Sequence, residues 1–250
     1  MVGEGSRQIG DLVQFSRFAI QLKQRGASYV ILRAPQMAHA LLRGISAIDE
    51  LIDTNDPIPN FDYHAPLLPM IGFFADDNAK LFSSEKTLVV NPDLLQRWDY
   101  ILQSQTLPRI GINWTASSDG HQMRSIPWDL FKSLHTYQYD FISLRRDCEE
   151  GHFWLRQFPN HSVDLLDCAA LCALCDLVIT VDTATLHIAA AQGVKTLALI
   201  PAQADWRWGT TGSTSHWYPT LTLYRQVKPN DWSYPLEKIK RFLATWRVTL

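Results

Sequence analysis

The stretch Leu177-Val178-Ile179-Thr180-Val181-Asp182-Thr183-Ala184-Thr185-Leu186-His187 has the residue types and spacing best suited to chemistry. A wholly apolar strand runs into a polar Asp-Thr pair, and a helix is expected to begin there. Free N–H groups at a helix start, together with its dipole, favour an anion such as a diphosphate. His187 follows Thr183 by four residues, so the two share a helical face and the imidazole could reach the same ligand. The same residues also permit a plainer arrangement, in which Thr183 only caps the helix and His187 is a satisfied interior side chain. Arg145 follows the strand Phe141–Leu144 at its carboxyl end. Its planar fork of donors suits phosphate, although a solvated surface charge would look the same in sequence. Thr115, Ser117 and Ser118 follow the strand that ends at Trp114, so their hydroxyls could reach phosphate too. Arg124 either joins them or ties down a loop.

Cysteines point away from a metal or disulfide framework. Cys168, Cys172 and Cys175 fall on one expected helix and Cys148 stands alone. Cys172 and Cys175 could form half a zinc site, but no second pair completes four ligands. Buried reduced thiols are the expectation. The 250 residues carry 25 acidic against 23 basic side chains, a net charge of −2. That balance argues against a nucleic-acid-binding module, and no apolar run approaches the length of a membrane span. Met1–Ser6 has neither a basic segment nor an apolar core, so no signal peptide is expected there and a cytoplasmic protein is the default.

These residues need elements to position them. From Ile9 one helix is expected, apolar on most of its circumference and ended by Gly26. Strands are expected at Tyr29–Leu32 and Asp49–Asp53, with a helix from Pro35 to Leu42 between them. Prolines punctuate 55–84, where long regular elements are not expected. Leu88–Val90 could be a strand, and a helix should follow from Pro92 to about Gln103. After Ser104–Pro108, the expected domain boundary, the alternation is clean: strands at Arg109–Trp114, Asp140–Leu144, Leu177–Val181 and Thr196–Ile200. Helices fall near Trp128–His135, Cys148–Gln157, Cys168–Cys175, Thr183–Gln192 and Leu236–Trp246. Two runs of β–α alternation imply an α/β protein of two Rossmann-like domains with parallel sheets, 1–105 and 106–250, with ligands beyond the carboxyl ends of the strands. Nine tryptophans are many for this length. Trp206, Trp208, Trp217 and Tyr218 cluster after the last expected strand, where packing between the two halves is favoured over stacking on a ligand ring.

The run Val181–Gly193 resembles the nucleotide-sugar motif of glycosyltransferase family 9, the ADP-heptose:lipopolysaccharide heptosyltransferases. It is closer still to the related domains found behind tetratricopeptide repeats in bacteria. The resemblance extends through Arg109–Trp114, Arg124–Pro127 and Phe141–Arg145, then Pro201, Asp205–Trp208, Trp217–Pro219 and Asp231-Trp232. At the front Gly10–Phe18 and Asp62–Leu68 match as well.

The resemblance implies a GT-B-type fold with the donor held mainly by the second domain. It implies a donor site of Thr115, Ser117, Arg124, Arg145, Asp182, Thr183, Ala184 and His187, and it places His64 on the acceptor side. Asp11, of the Gly-Asp pair opening the first helix, matches the proposed base, which would take the proton of an acceptor hydroxyl. An Asp in a first helical turn is also favoured by the dipole alone. No Asp-x-Asp and no His-Glu-x-x-His occurs in the chain, so an inverting, metal-independent transfer with no cofactor beyond the nucleotide-sugar donor is expected. The partners implied are a nucleotide sugar and a saccharide or protein acceptor. A catalytically silent nucleotide- or partner-binding domain of a repeat protein is the alternative. In the family an apolar strand leads directly into the Gly-Asp turn. Met1–Gln8 are polar and Gly-rich, so that strand is expected to be missing and the amino-terminal domain incomplete, through truncation or erosion.

Overall fold

The computed structural model describes residues 2–4, 9–74, 86–103, 106–116, 122–145, 153–158 and 164–247. Its strands divide between two parallel sheets. The larger sheet takes β4 (Arg109–Asn113), β5 (Asp140–Ser143), β6 (Leu155–Arg156), β7 (Leu177–Val181), β8 (Thr196–Ile200) and β9 (Leu221–Arg225), in the order β6-β5-β4-β7-β8-β9. All five residues of β7 and all five of β8 are buried. Such continuous apolar runs belong to parallel strands covered on both faces. The chain lays down β4 first, builds outward through β5 and β6, then returns to place β7 on the other side of β4. Strand order therefore reverses between β4 and β7, and the crevice at that switch point is where open α/β sheets bind ligands.

The smaller sheet pairs β1 (Val2–Glu4), β2 (Ile31–Arg33) and β3 (Glu50–Ile52) in sequence order. Here the sequence expectation is corrected: a strand does precede the Gly10-Asp11 turn. It is three residues long and pairs with β2, Gly3 opposite Leu32. So short a segment has no periodicity of its own and depends on the ladder of its neighbour, whose Ile31 and Leu32 are buried. The helix expected from Ile9 is two helices, α1 (Ile9–Phe15) and α2 (Phe18–Gln24). At the break, Ser16 Oγ bonds back to the Leu12 carbonyl. Arg17 turns inward, donating to the carbonyls of Gln14 at 2.8 Å and of Trp217 at 2.6 Å. A buried guanidinium needs those acceptors, and reaching them ends the helix.

Helices α3 (Gln36–Leu42), α4 (Met70–Phe73) and α5 (Pro92–Leu102) complete the first half. Asn91 caps α5 by accepting from the Asp93 N–H at 2.8 Å, with Pro92 at the first helical position. The strand expected at Leu88–Val90 does not form. The N–H groups of Thr87 and Leu88 donate to the Ala191 carbonyl and that of Val89 to the Gly44 carbonyl. A Cβ on Gly44 would lie 2.2 Å from the Val89 oxygen, so the crossing tolerates only glycine.

In the second half α6 (Trp128–Phe131), α7 (Leu165–Ala173), α8 (Ala184–Ala191) and α9 (Ser233–Thr245) cover the larger sheet. The helix expected over Cys148–Gln157 is not seen in its described part, where Leu155-Arg156 is the edge strand β6; Cys148 lies outside the described residues. The apolar run Phe153-Trp154-Leu155 lacks helical spacing, and Trp154 stacks on His135 with ring centroids 4.3 Å apart. Strand β9, whose Leu221 and Leu223 are buried between half-buried Thr222 and Tyr224, was not expected. Cys168, Cys172 and Cys175 are free, buried thiols on α7 and the turn after it.

The two sheets part between Leu102 and Arg109; Ser104 and Gln105 lie outside the described residues. One apolar cluster nevertheless runs across both halves, joining Leu12, Phe15 and Phe18 to Leu186 and Ile188. A second, with Ile110, Leu177, Ile179 and Ile239, fills the other face of the larger sheet.

Candidate functional site

Asn113, the last residue of β4, sits opposite Thr180 of β7 and so stands at the switch point. Its side chain is buried and spans the crevice. The Nδ2 group donates to the hydroxyls of Thr185 at 3.0 Å and Thr183 at 3.3 Å, and Oδ1 accepts from the Thr115 N–H at 3.2 Å. Thr183 occupies the position before α8 with extended backbone, yet its side chain makes no cap hydrogen bond. Its hydroxyl turns instead to the Val181 carbonyl at 3.4 Å. The Leu186 N–H donates to the Thr183 carbonyl at 3.0 Å, and the N–H groups of Ala184 and Thr185 are left at an open helix end for an acceptor.

That open end looks into a cleft of about 980 Å³, large enough for a nucleotide-sized ligand. Asn113, Thr115, Ala116, Ser125, Thr183, Ala184 and Thr185 line it, as do Leu144 and Arg145. Asp164, Leu165, Leu166 and Cys168 contribute the start of α7, and Met37, Ala40 and Leu41 close the cleft from α3 in the first half. The Arg145 guanidinium lies 4.7 Å above the Trp114 ring, which holds its long side chain in place, and its backbone N–H bonds to Ser143 Oγ at 3.3 Å. Asp164 accepts from the N–H groups of Leu166 and Asp167, both at 2.8 Å, so α7 is capped where α8 is not. Of the expected donor residues, Thr115, Arg145, Thr183 and Ala184 line the cleft; Ser117 and Ser118 lie outside the described residues.

The other expected residues sit behind the first turn of α8 and do not line the cleft. Arg124 donates to the backbone carbonyl of Asp182 at 3.0 Å and reaches its carboxylate at 3.5 Å, so it ties two loops together. Burial pushes the Asp182 carboxyl above its ordinary range, against the opposing pull of neighbouring cations such as Arg124. His187 is buried as well. Its Nδ1 meets the Tyr218 hydroxyl at 3.1 Å, and its ring stacks on Trp208 with centroids 5.5 Å apart. Burial, with Arg207, Arg17 and Arg124 nearby, holds the imidazole well below its usual pKa, so it is neutral. Tyr218, pushed up to about 12 by burial, keeps its proton to donate. His187 therefore fulfils the plainer of its two sequence expectations, as a satisfied interior side chain.

Asp11 lies in the first turn of α1, beside the same end of α8. A Cβ on Gly10 would come within 2.8 Å of the His187 ring and 3.7 Å of Ala184 Cα, so only glycine allows α1 this close. The Asp11 carboxylate is paired with Arg207 at 2.7 Å, and Arg207 also holds Asp205 at 3.1 Å. Phe15 of α1 stacks on Trp206 at 6.4 Å and meets Trp217 edge-on at 5.6 Å. The tryptophan cluster thus packs one half of the molecule on the other. His64 is exposed beside Phe61 and is not a lining residue of the cleft. Asn113, Thr185, Ser125 and Asp164 are cleft residues that the sequence did not single out. The position of Asn113 at the end of the first strand after the boundary was the available signal.

The family model of glycosyltransferase family 9 (heptosyltransferase) matches residues 162–217, from just before α7 to the tryptophan cluster. Protein FlbA of Caulobacter vibrioides is 29% identical over 156 residues, 57% of this chain and 26% of that protein. The chain therefore spans about a quarter of the length of that curated relative. Among solved structures, the glycosyl transferase family 9 protein from Veillonella parvula superposes with a TM-score of 0.63 at 12% identity, over 100% of this chain and 89% of the other. The ADP-heptose lps heptosyltransferase II of E. coli gives 0.63 at 14% identity, over 97% of each chain. E. coli heptosyltransferase WaaC, solved with ADP-2-deoxy-2-fluoro heptose, gives 0.59 at 14%, over 98% of this chain and 99% of that one. This chain thus has the α/β fold of the GT-B heptosyltransferases, with parallel sheets in both halves, and over residues 162–217 it carries the sequence signature of glycosyltransferase family 9.

Proposed function

We propose that this protein is a glycosyltransferase that takes a sugar from a nucleoside diphosphate donor of the ADP-heptose kind and passes it to a saccharide or protein hydroxyl. The observation that carries this reading is the open amino end of α8 at the switch point, faced by Arg145, inside the segment that matches the family. The diphosphate would lie over Ala184 and Thr185, its charge met by their N–H groups, the helix dipole and the Arg145 guanidinium. As the anomeric C–O bond to the diphosphate breaks, those same groups take up the leaving group's growing charge, so no metal is assigned a part. Asp11 would accept the proton of the acceptor hydroxyl attacking from the opposite face of the sugar, which inverts the anomeric centre. The ADP moiety is chosen because WaaC was solved with ADP and with an ADP sugar.

One observation favours a second reading, a catalytically silent nucleotide- or partner-binding domain such as one joined to tetratricopeptide repeats. Asp11 is engaged by Arg207 and does not line the cleft. A panel of ADP- and other nucleotide-linked sugars, assayed for release of the nucleoside diphosphate with and without acceptor, separates the two. Turnover supports the transferase; nucleotide binding with no turnover of any donor supports the silent domain and overturns the first reading.

A further inference from the structure

Two helices begin at the cleft, and they are finished differently. Asp164 caps α7 in the usual manner, accepting from Leu166 and Asp167. Thr183 has a side chain that commonly does the same for α8, and the extended backbone such a cap needs, yet its hydroxyl makes no cap bond. What engages that hydroxyl is Asn113, from a strand 70 residues earlier, on one side and the Val181 carbonyl on the other. Asn113 also holds Thr185 Oγ and the Thr115 N–H.

We infer that Asn113 is a positioning residue for the donor site proposed above: it draws the Thr183 hydroxyl away from α8 and so keeps the helix start free for the diphosphate. The inference rests on that donor reading. A capping hydroxyl and a phosphate oxygen compete for the same N–H groups, so whatever removes the hydroxyl from them favours the ligand. An asparagine amide suits this task. Its two N–H bonds reach both threonine hydroxyls while its oxygen holds the Thr115 N–H at the end of its own strand, and it brings no negative charge next to the phosphates. An aspartate in the same place could not donate and would repel the ligand.

Once Asn113 is gone, the Thr183 hydroxyl can rotate onto the N–H of Thr185, since that of Leu186 already bonds the Thr183 carbonyl. Calorimetric titration with ADP, and with inorganic pyrophosphate, should then show Asn113→Ala binding roughly tenfold more weakly, the equivalent of one helix cap. The double variant Asn113→Ala/Thr183→Ala, which has no hydroxyl left to compete, should regain most of that loss. Melting gives an independent readout without ligand. Thr183→Ala should lower Tm by about 2–4 °C in the Asn113→Ala background, where the hydroxyl has become a cap, and leave the parent nearly unmoved. A merely structural Asn113 would produce neither the regained affinity nor this coupling. Equal affinity of the parent and Asn113→Ala, or a double variant that binds no more tightly than the single one, overturns the assignment and leaves the donor reading standing. A parent chain that binds neither ADP nor pyrophosphate overturns the donor reading and this inference together.

Discussion

The two sides of the first turn of α8 are built on opposite plans. On the cleft side Ala184 and Thr185 bring N–H groups to an open space that Arg145 also lines, while the hydroxyls of Thr183 and Thr185 are held by Asn113. On the inner side Asp182, His187 and the neighbouring Asp11 are enclosed, each satisfied by a protein partner: Arg124, Tyr218 and Arg207. Both sides are polar, and sequence spacing alone gives them equal standing as ligand groups. What separates them is the cleft, which one side lines and the other does not. A buried charge has to be paired for the fold to persist, so its partners are already spent. A group at a cleft can keep its hydrogen-bonding capacity for a ligand. Substitutions on the inner side should therefore cost stability, and those on the cleft side should cost affinity.

The sharpest break in that division is Asp11, which belongs to the inner side by packing and to the reaction by proposal. Asp11→Asn should lower turnover by roughly 10²–10⁴ if Asp11 is the base, with ADP affinity unchanged, as read by steady-state kinetics beside a calorimetric titration. Turnover at the parent rate would make Asp11 a tie between the halves and nothing more. Arg207→Ala comes next. It strands two carboxylates, Asp11 and Asp205, at a junction where the Arg207 side chain is only 10% exposed. A loss of about 3 kcal/mol in urea denaturation is expected; a loss under about 0.5 kcal/mol would mean the ion pair does not hold the halves together.

On the cleft side Arg145→Ala should weaken ADP binding by about 1.5–3 kcal/mol while stability stays within about 0.5 kcal/mol of the parent. An equal affinity would remove Arg145 from the site. The smallest effect concerns pH. His187 is held neutral in the fold with its pKa lowered from 6.5. Its unfolded form takes up a proton below that value while the folded form does not, so the stabilisation is complete above pH 6.5 and declines as pH falls below it. Against His187→Gln, the parent should lose stability more steeply between about pH 6.5 and 5. Parallel curves would show that the imidazole does protonate in the folded protein.

The sequence revealed the larger half best, because Leu177–Val181 and Thr196–Ile200 are apolar but for one threonine each, short and β-branched-rich, as buried central parallel strands are. Strands β1 and β6, three and two residues long, have too little pattern to be read, and each owes its place to the strand beside it. The break between α1 and α2 was hidden for a related reason: Arg17 leaves the helix to reach Trp217, 200 positions away. That Thr183 and Arg145 line the cleft was legible because each follows a strand, and the carboxyl ends of strands border the crevice of an α/β sheet. His187 could not be placed from sequence, because helical spacing fixes a face and does not say that this one meets Tyr218 and Trp208. Asn113 was overlooked because its partners come from another strand and a helix brought close only by the sheet order.

A nucleoside diphosphate seated at the amino end of α8 is the central prediction. Titrating ADP into isotopically labelled protein and following the backbone amides by NMR would locate it. The largest shifts should fall on Ala184, Thr185 and Arg145, with Asp11 and the inner residues around Arg207 little changed. Shifts centred on Asp11 and Arg207, with Ala184 and Thr185 unmoved at saturation, would contradict it.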